Sequence, residues 1–108
     1  MTDIVDCGHP RRALDLVHLA RQTLGDRALE SEVLRLFATQ SRLLLARLQT
    51  AEGEERRQVA HTIKGSARAV GAWEIAEAAE TIESGAQDSA PLACAIDRAQ
   101  AMIRDLAA

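Results

Sequence analysis

The segment RALESEVLRLFATQSRLLLARLQT, residues 27–50, decides the fold class. Its apolar positions Leu29, Val33, Leu36, Phe37, Leu43, Leu44 and Leu48 recur at three- and four-residue intervals. That is the spacing of a helix burying one face. Gly25 and Asp26 ahead of it read as a stop followed by an N-cap. Ala51-Glu52-Gly53 breaks it.

Working outward, a short helix is predicted from Arg12 to about Thr23, with Pro10 in its first turn, where a missing N–H costs nothing. Leu14, Val17 and Leu24 are among its apolar positions. Residues 1–9 lack any period and read as a flexible lead-in. Beyond the break, a third helix covers about Glu54 to Val70 and ends at Gly71, a left-handed C′ residue. A fourth covers about Ala72 to Ser84. After a turn through Pro91, with Asp88 or Ser89 as cap, the last helix carries Leu92, Ala95, Ile96, Ala99, Met102, Ile103 and Leu106. Long amphipathic helices with short connections become antiparallel neighbours. The expected fold is all-α: an antiparallel up-down four-helix bundle, with the short N-terminal helix capping one end, as a single domain over residues 10–108.

Composition agrees. The chain has 108 residues, enough for one core, and aromatics are only 2%. Sheets favour β-branched and aromatic residues, whereas this chain is rich in Ala, Leu, Arg and Glu, which favour helices. The 13 basic and 16 acidic side chains are interspersed and leave a net charge of −3, which argues against nucleic acid as a partner. No apolar run is long enough for a membrane span. The acidic N-terminus lacks the features of a secretory signal. Cys7 and Cys94 form no CxxC pair, so a disulfide framework or zinc site is not expected. A reduced, cytoplasmic chain with two free thiols is. No GxxxxGK[ST] or GxGxxG cradles a nucleotide.

The chemistry concentrates in His61-Thr62-Ile63-Lys64-Gly65-Ser66-Ala67-Arg68-Ala69-Val70-Gly71-Ala72. At about 100° per residue, Val59, Ile63, Ser66 and Val70 lie opposite His61, so the imidazole points to solvent. Lys64 lies about 60° to one side and Gly65 about 40° to the other. Arg57 and Arg68 are nearly in line with it, and Gln58 is at the edge. Neutral imidazole is a nucleophile near pH 7. A phosphoryl group on it would be a charged adduct that cations at i+3 and i+7 can pair with. Glycine inside a helix costs about 1 kcal/mol relative to alanine, and clearance for a partner is a compensating reason. Lys64 is the chain's only lysine, a compact mobile ammonium suited to a group that arrives and leaves.

His61-Thr62-Ile63-Lys64-Gly65-Ser66, then Val70-Gly71-Ala72, then Ala79-Glu80-Thr81-Ile82-Glu83 resembles the signature of histidine-containing phosphotransfer (HPt) domains, roughly HxLKGSSxxxGAxxLxxxCxxLE. Ile63, Ala67, Ile75, Ala79 and Ile82 depart from it mildly. The resemblance implies a four-helix bundle that relays phosphate between receiver-domain aspartates and has no kinase activity of its own. It implies that His61 carries the phosphoryl group, that Lys64 steadies it, and that Gly65 leaves room for the receiver. Arg57, Gln58, Thr62, Arg68 and Glu83 are the expected docking surface. The implied partners are response-regulator receivers and a sensor (hybrid) histidine kinase. No intrinsic cofactor is implied, Mg²⁺ being expected in the receiver, and a monomer is the default.

Two rivals stand beside this. A non-catalytic module could bind and sequester a receiver or kinase with His61 never phosphorylated. A dimerisation or scaffold domain would need a broad exposed apolar face, whereas the periodicity implies a charged surface. Asp15 and His18, at i and i+3, can suit a metal but lack a second such unit. Glu74, Glu77, Glu80 and Glu83 read as a solvated face, Glu83 also being the position where the family places a Glu or Gln near the histidine. Trp73 reads as packing, and His9 has no evident partner.

Overall fold

The computed structural model describes residues 13–107, and every regular element among them is an α-helix. They are α1 (Leu16–Gln22), α2 (Arg27–Thr50), α3 (Gly53–Val70), α4 (Trp73–Glu83) and α5 (Ala90–Ala107). Helix α2 packs on α3, α3 on α4, α4 on α5 and α5 on α2, which closes a ring of four, and α1 lies against α3. The expected lead-in over residues 1–9, with His9, lies outside the described residues. No helix among those described is long and apolar enough to cross a membrane.

Caps set the helix limits. The Asp26 carboxylate accepts the Leu29 N–H at 3.1 Å and starts α2 at Arg27, supplying one acceptor to the unpaired donors of the first turn. Gly71 ends α3 with φ 80°. A Cβ there would also sit 2.9 Å from the Asp15 backbone oxygen, so both conformation and space demand glycine.

The first helix departs from expectation. It begins at Leu16 rather than near Arg12, because Asp15 caps it and accepts the His18 N–H at 3.0 Å. Asp15 is held by the far side of the chain: its N–H donates to the Gly71 carbonyl, and its Oδ2 accepts the Trp73 indole N–H at 2.9 Å. Leu14 is fully buried, but Val17 and Leu24 are exposed, Leu24 lying in the turn at φ 54°. The Asp15 carboxylate is thereby committed to capping and to Trp73. Its pKa lies below the usual aspartate value, chiefly through that indole bond and then through the His18 N–H.

The core is aliphatic. Leu14, Leu19, Leu48, Ile63, Ile75, Leu92 and Ile96 are its largest fully buried side chains, each contributing roughly 1.5–3 kcal/mol of burial. Alanines at 60, 67, 72, 79, 95 and 99 line the helix contacts and let backbones approach. Between α2 and α5, the buried Gln100 donates to the Ala38 carbonyl at 2.7 Å and to Ser41 Oγ at 3.1 Å. This polar pairing fixes how the two helices meet.

On α2 the buried face is Leu34, Phe37, Ala38, Ser41 and Leu48. Leu29, Leu36 and Leu43, three of the positions read as its buried stripe, are exposed instead. The cause is composition: with leucine on several faces, the side turned inward is the one whose small residues admit α5. Cys94 of α5 is disulfide-bonded, which corrects the expectation of two free thiols. The other cysteine, Cys7, lies outside the described residues.

Candidate functional site

Helix α3 presents the site because Val59, Ala60, Ile63, Ala67 and Val70 anchor it in the core. His61 projects from the opposite face with 67% of its side chain exposed. Its Nδ1 lies 2.7 Å from Oε2 of Glu83, near the end of α4. A carboxylate only accepts, so Nδ1 carries the hydrogen and donates it, which in the neutral ring leaves the lone pair on Nε2.

Lys64 turns to the same carboxylate. Its Nζ lies 2.6 Å from Glu83 Oε1, with only 14% of the side chain exposed and 23% of Glu83. The open ammonium suggested by the helical spacing is therefore a tucked one. Helix α4 supplies its partner, the Glu83 carboxylate, at a position that helical geometry on α3 does not reveal. Glu83 titrates below the ordinary glutamate range, first because of Lys64 and second because of His61.

Of the glutamates read as a solvated face, Glu80 is exposed and Glu74 is mostly buried, while Glu83, expected near the histidine, lies beside it. Glu74 pairs with Arg98 of α5, Glu80 with Arg68, and Glu83 with His61 and Lys64. The two arginines in line with His61 are also engaged. Arg57 Nε lies 3.5 Å from Glu54 and Arg68 Nη2 lies 3.8 Å from Glu80, all four side chains more than half exposed.

Arg57, Gln58, His61, Thr62 and Glu83, with Glu54, line one open cleft of about 500 Å³. Gly65 and Arg68 lie outside it, further along α3. A Cβ added at Gly65 would meet nothing within 4 Å. The chain's own packing therefore does not require glycine there, although a helix interior disfavours it.

On the side of α3 away from α4, Ser66 Oγ contacts Gln40 Oε1 of α2 at 3.4 Å. Gln40 sits between Leu36 and Leu43, its i−4 and i+3 neighbours, which are 63% and 67% exposed. Reading the sequence alone missed this ridge. The seven-residue spacing of Leu29, Leu36 and Leu43 is the signal that would have found it. Among the described residues no group of three or more His, Cys, Asp or Glu is placed to hold a metal ion.

The site is thus an exposed histidine on a helix whose glutamate partner also holds a lysine. The Hpt domain profile matches residues 32–108. The chain belongs to the Hpt domain family. No curated protein and no solved structure gives a significant match. Hpt domains serve histidine phosphotransfer in two-component signalling, where they interact with receiver domains and kinases. In this Hpt domain the match takes in α3 and α4 entire, and with them every residue of the His61 site.

Proposed function

We propose that this chain is a phosphoryl relay. His61 takes a phosphoryl group from a receiver aspartate or a hybrid kinase and passes it to the receiver aspartate of a response regulator. The observation that carries this reading is the 2.7 Å contact between His61 Nδ1 and Glu83. It selects the tautomer whose nucleophilic nitrogen, Nε2, faces outward.

In the forward step the Nε2 lone pair forms the N–P bond. The P–O bond to the donor aspartate breaks, and its electron pair leaves on the carboxylate oxygen. The ring gains positive charge while Nδ1 keeps its proton, and the Glu83 carboxylate behind it offsets that charge, as a carboxylate does behind a general-base imidazole. Lys64 offsets charge on the phosphoryl oxygens. Further electrostatic stabilisation is expected from the receiver's acidic pocket and its Mg²⁺.

Docking is read over Gly65, Gln58 and Thr62, with Arg57 and Arg68 at the ends and the α2 ridge of Leu36 and Leu43 alongside. Three features support it: the open space at Gly65, the cleft beside His61, and apolar side chains left uncovered next to a reactive face. The carrying frame is read as an up-down antiparallel four-helix bundle, supported by short connections at 51–52, 71–72 and 84–89. A monomer is the proposed working state. The proposed compartment is the cytoplasm, where phosphoryl donors made from ATP are available. Thiols are kept reduced there, and transfer is expected to be indifferent to the Cys94 disulfide.

The test is incubation with a receiver carrying labelled aspartyl phosphate. Label should move to the wild type and not to His61→Gln. No label on wild type, or equal label on both, contradicts the relay. Receiver binding without label would favour a sequestering module.

A further inference from the structure

We propose that Glu83 is the resident counter-ion of Lys64, competing with the phosphoryl group for this ammonium and so keeping phospho-His61 short-lived and ready to discharge. The inference rests on the relay reading above and concerns what regulates the lifetime of the adduct.

Three observations lead to it. First, one carboxylate serves both partners, with Oε2 at 2.7 Å from His61 Nδ1 and Oε1 at 2.6 Å from Lys64 Nζ. Second, Oε1 is buried and, apart from that ammonium, has no partner among the described residues. Drawing Lys64 away leaves a buried acceptor unsatisfied, which is costly. Third, other cations do not stand ready to replace it. Lys64 is the only lysine, and Arg57 and Arg68 pair with Glu54 and Glu80.

The phosphoryl group arrives on Nε2, on the far side of the ring from Glu83. Nζ has three N–H donors but a single charge, so what it gives the phosphoryl oxygens it withdraws from Oε1. The adduct thereby carries a penalty that the unphosphorylated site does not. On discharge the N–P bond breaks, its electron pair returns to Nε2, and the phosphoryl group passes to the acceptor aspartate's oxygen. The Nδ1 proton stays in place, and Lys64 falls back on Glu83.

Glu83→Gln keeps an oxygen acceptor for Nδ1 and removes the charge that holds Lys64. The half-life of labelled phospho-His61, measured without an acceptor, should lengthen roughly 2- to 5-fold, the factor that corresponds to a modest ion-pair contribution. In a Lys64→Ala background the same substitution should give no lengthening, which separates competition for Lys64 from any effect on the ring. Glu83→Asp, which keeps the charge on a shorter stem, should fall between wild type and Glu83→Gln. Circular dichroism checks that each variant folds. No lengthening in either Glu83 variant, or equal lengthening with and without Lys64, overturns the proposal and leaves the relay standing. Failure of the wild type to take label strikes the relay itself.

Discussion

The two flanks of His61 are built on opposite plans. Toward α4, charges meet charges: Glu83 holds both the imidazole and a Lys64 only 14% exposed, and Glu80 engages Arg68. Toward α2, Leu36 and Leu43 stand mostly in solvent beside Gln40 and Ser66. The α4 flank is complete within the chain, whereas the α2 flank exposes apolar surface that nothing in the described residues covers. A surface satisfied internally suits chemistry, because its groups are already oriented. Apolar surface left open suits docking, because covering it rewards association. Under the proposed relay, the reaction belongs to one flank and recognition to the other.

Substitutions can break that division, and the largest expected effect is on the α4 flank. Lys64→Ala should slow transfer to His61 on the order of 100-fold, the scale of losing one positioned donor, with the receiver's affinity unchanged. A raised Kd with intact transfer at saturation would move Lys64 to the docking side. On the α2 flank, Leu36→Glu with Leu43→Glu should weaken receiver binding on the order of 10-fold and leave transfer at saturating receiver alone. Calorimetric titration against single-turnover kinetics separates the two. Equal binding by the double variant would remove α2 from the interface.

Gly65 sits between the flanks and gives a smaller, two-signed effect. Gly65→Ala should raise stability by about 0.5–1 kcal/mol, since a Cβ fits and alanine favours the helix. It should also slow transfer a few-fold by crowding the partner. A stability gain with unchanged transfer would mean the glycine is not there for clearance. The smallest effect is the response to acid. The folded pKa of Glu83 is depressed from its ordinary 4.5, so its pairing with Lys64 and His61 contributes stability fully above about pH 4.5. That contribution fades as pH falls through the lowered value. Thermal melts of wild type and Glu83→Gln should therefore differ near neutrality and converge at the acid end. A constant difference across that range would show that the charge of Glu83 is not what stabilises the site.

Much of this was legible in the sequence, and the exceptions share one cause. The limits of α2 follow from Asp26 and the Ala51-Glu52-Gly53 break, which act locally, and Gly71 ends α3 as its position suggests. His61 stands exposed because the residues opposite it are apolar. What local spacing could not supply were contacts made across the fold. Asp15 caps α1 in a position fixed by Gly71 and Trp73, far along the chain. Lys64 turns inward because α4 brings Glu83 alongside. Leu29, Leu36 and Leu43 stay outside because α5 meets the α2 face bearing Ala38 and Ser41, closed by Gln100. Periodicity detects that a helix has an apolar face, but where leucines occupy several faces it does not choose among them.

The most direct measurement is NMR of the chain with ¹⁵N-labelled imidazole rings after phosphorylation by a receiver. A one-bond coupling from phosphorus to Nε2 of His61, with the proton retained on Nδ1 before transfer, is the expected result. Phosphorus on Nδ1, on another residue, or absent while the receiver binds, would contradict the assignment of His61 as the outward-facing phosphoryl carrier.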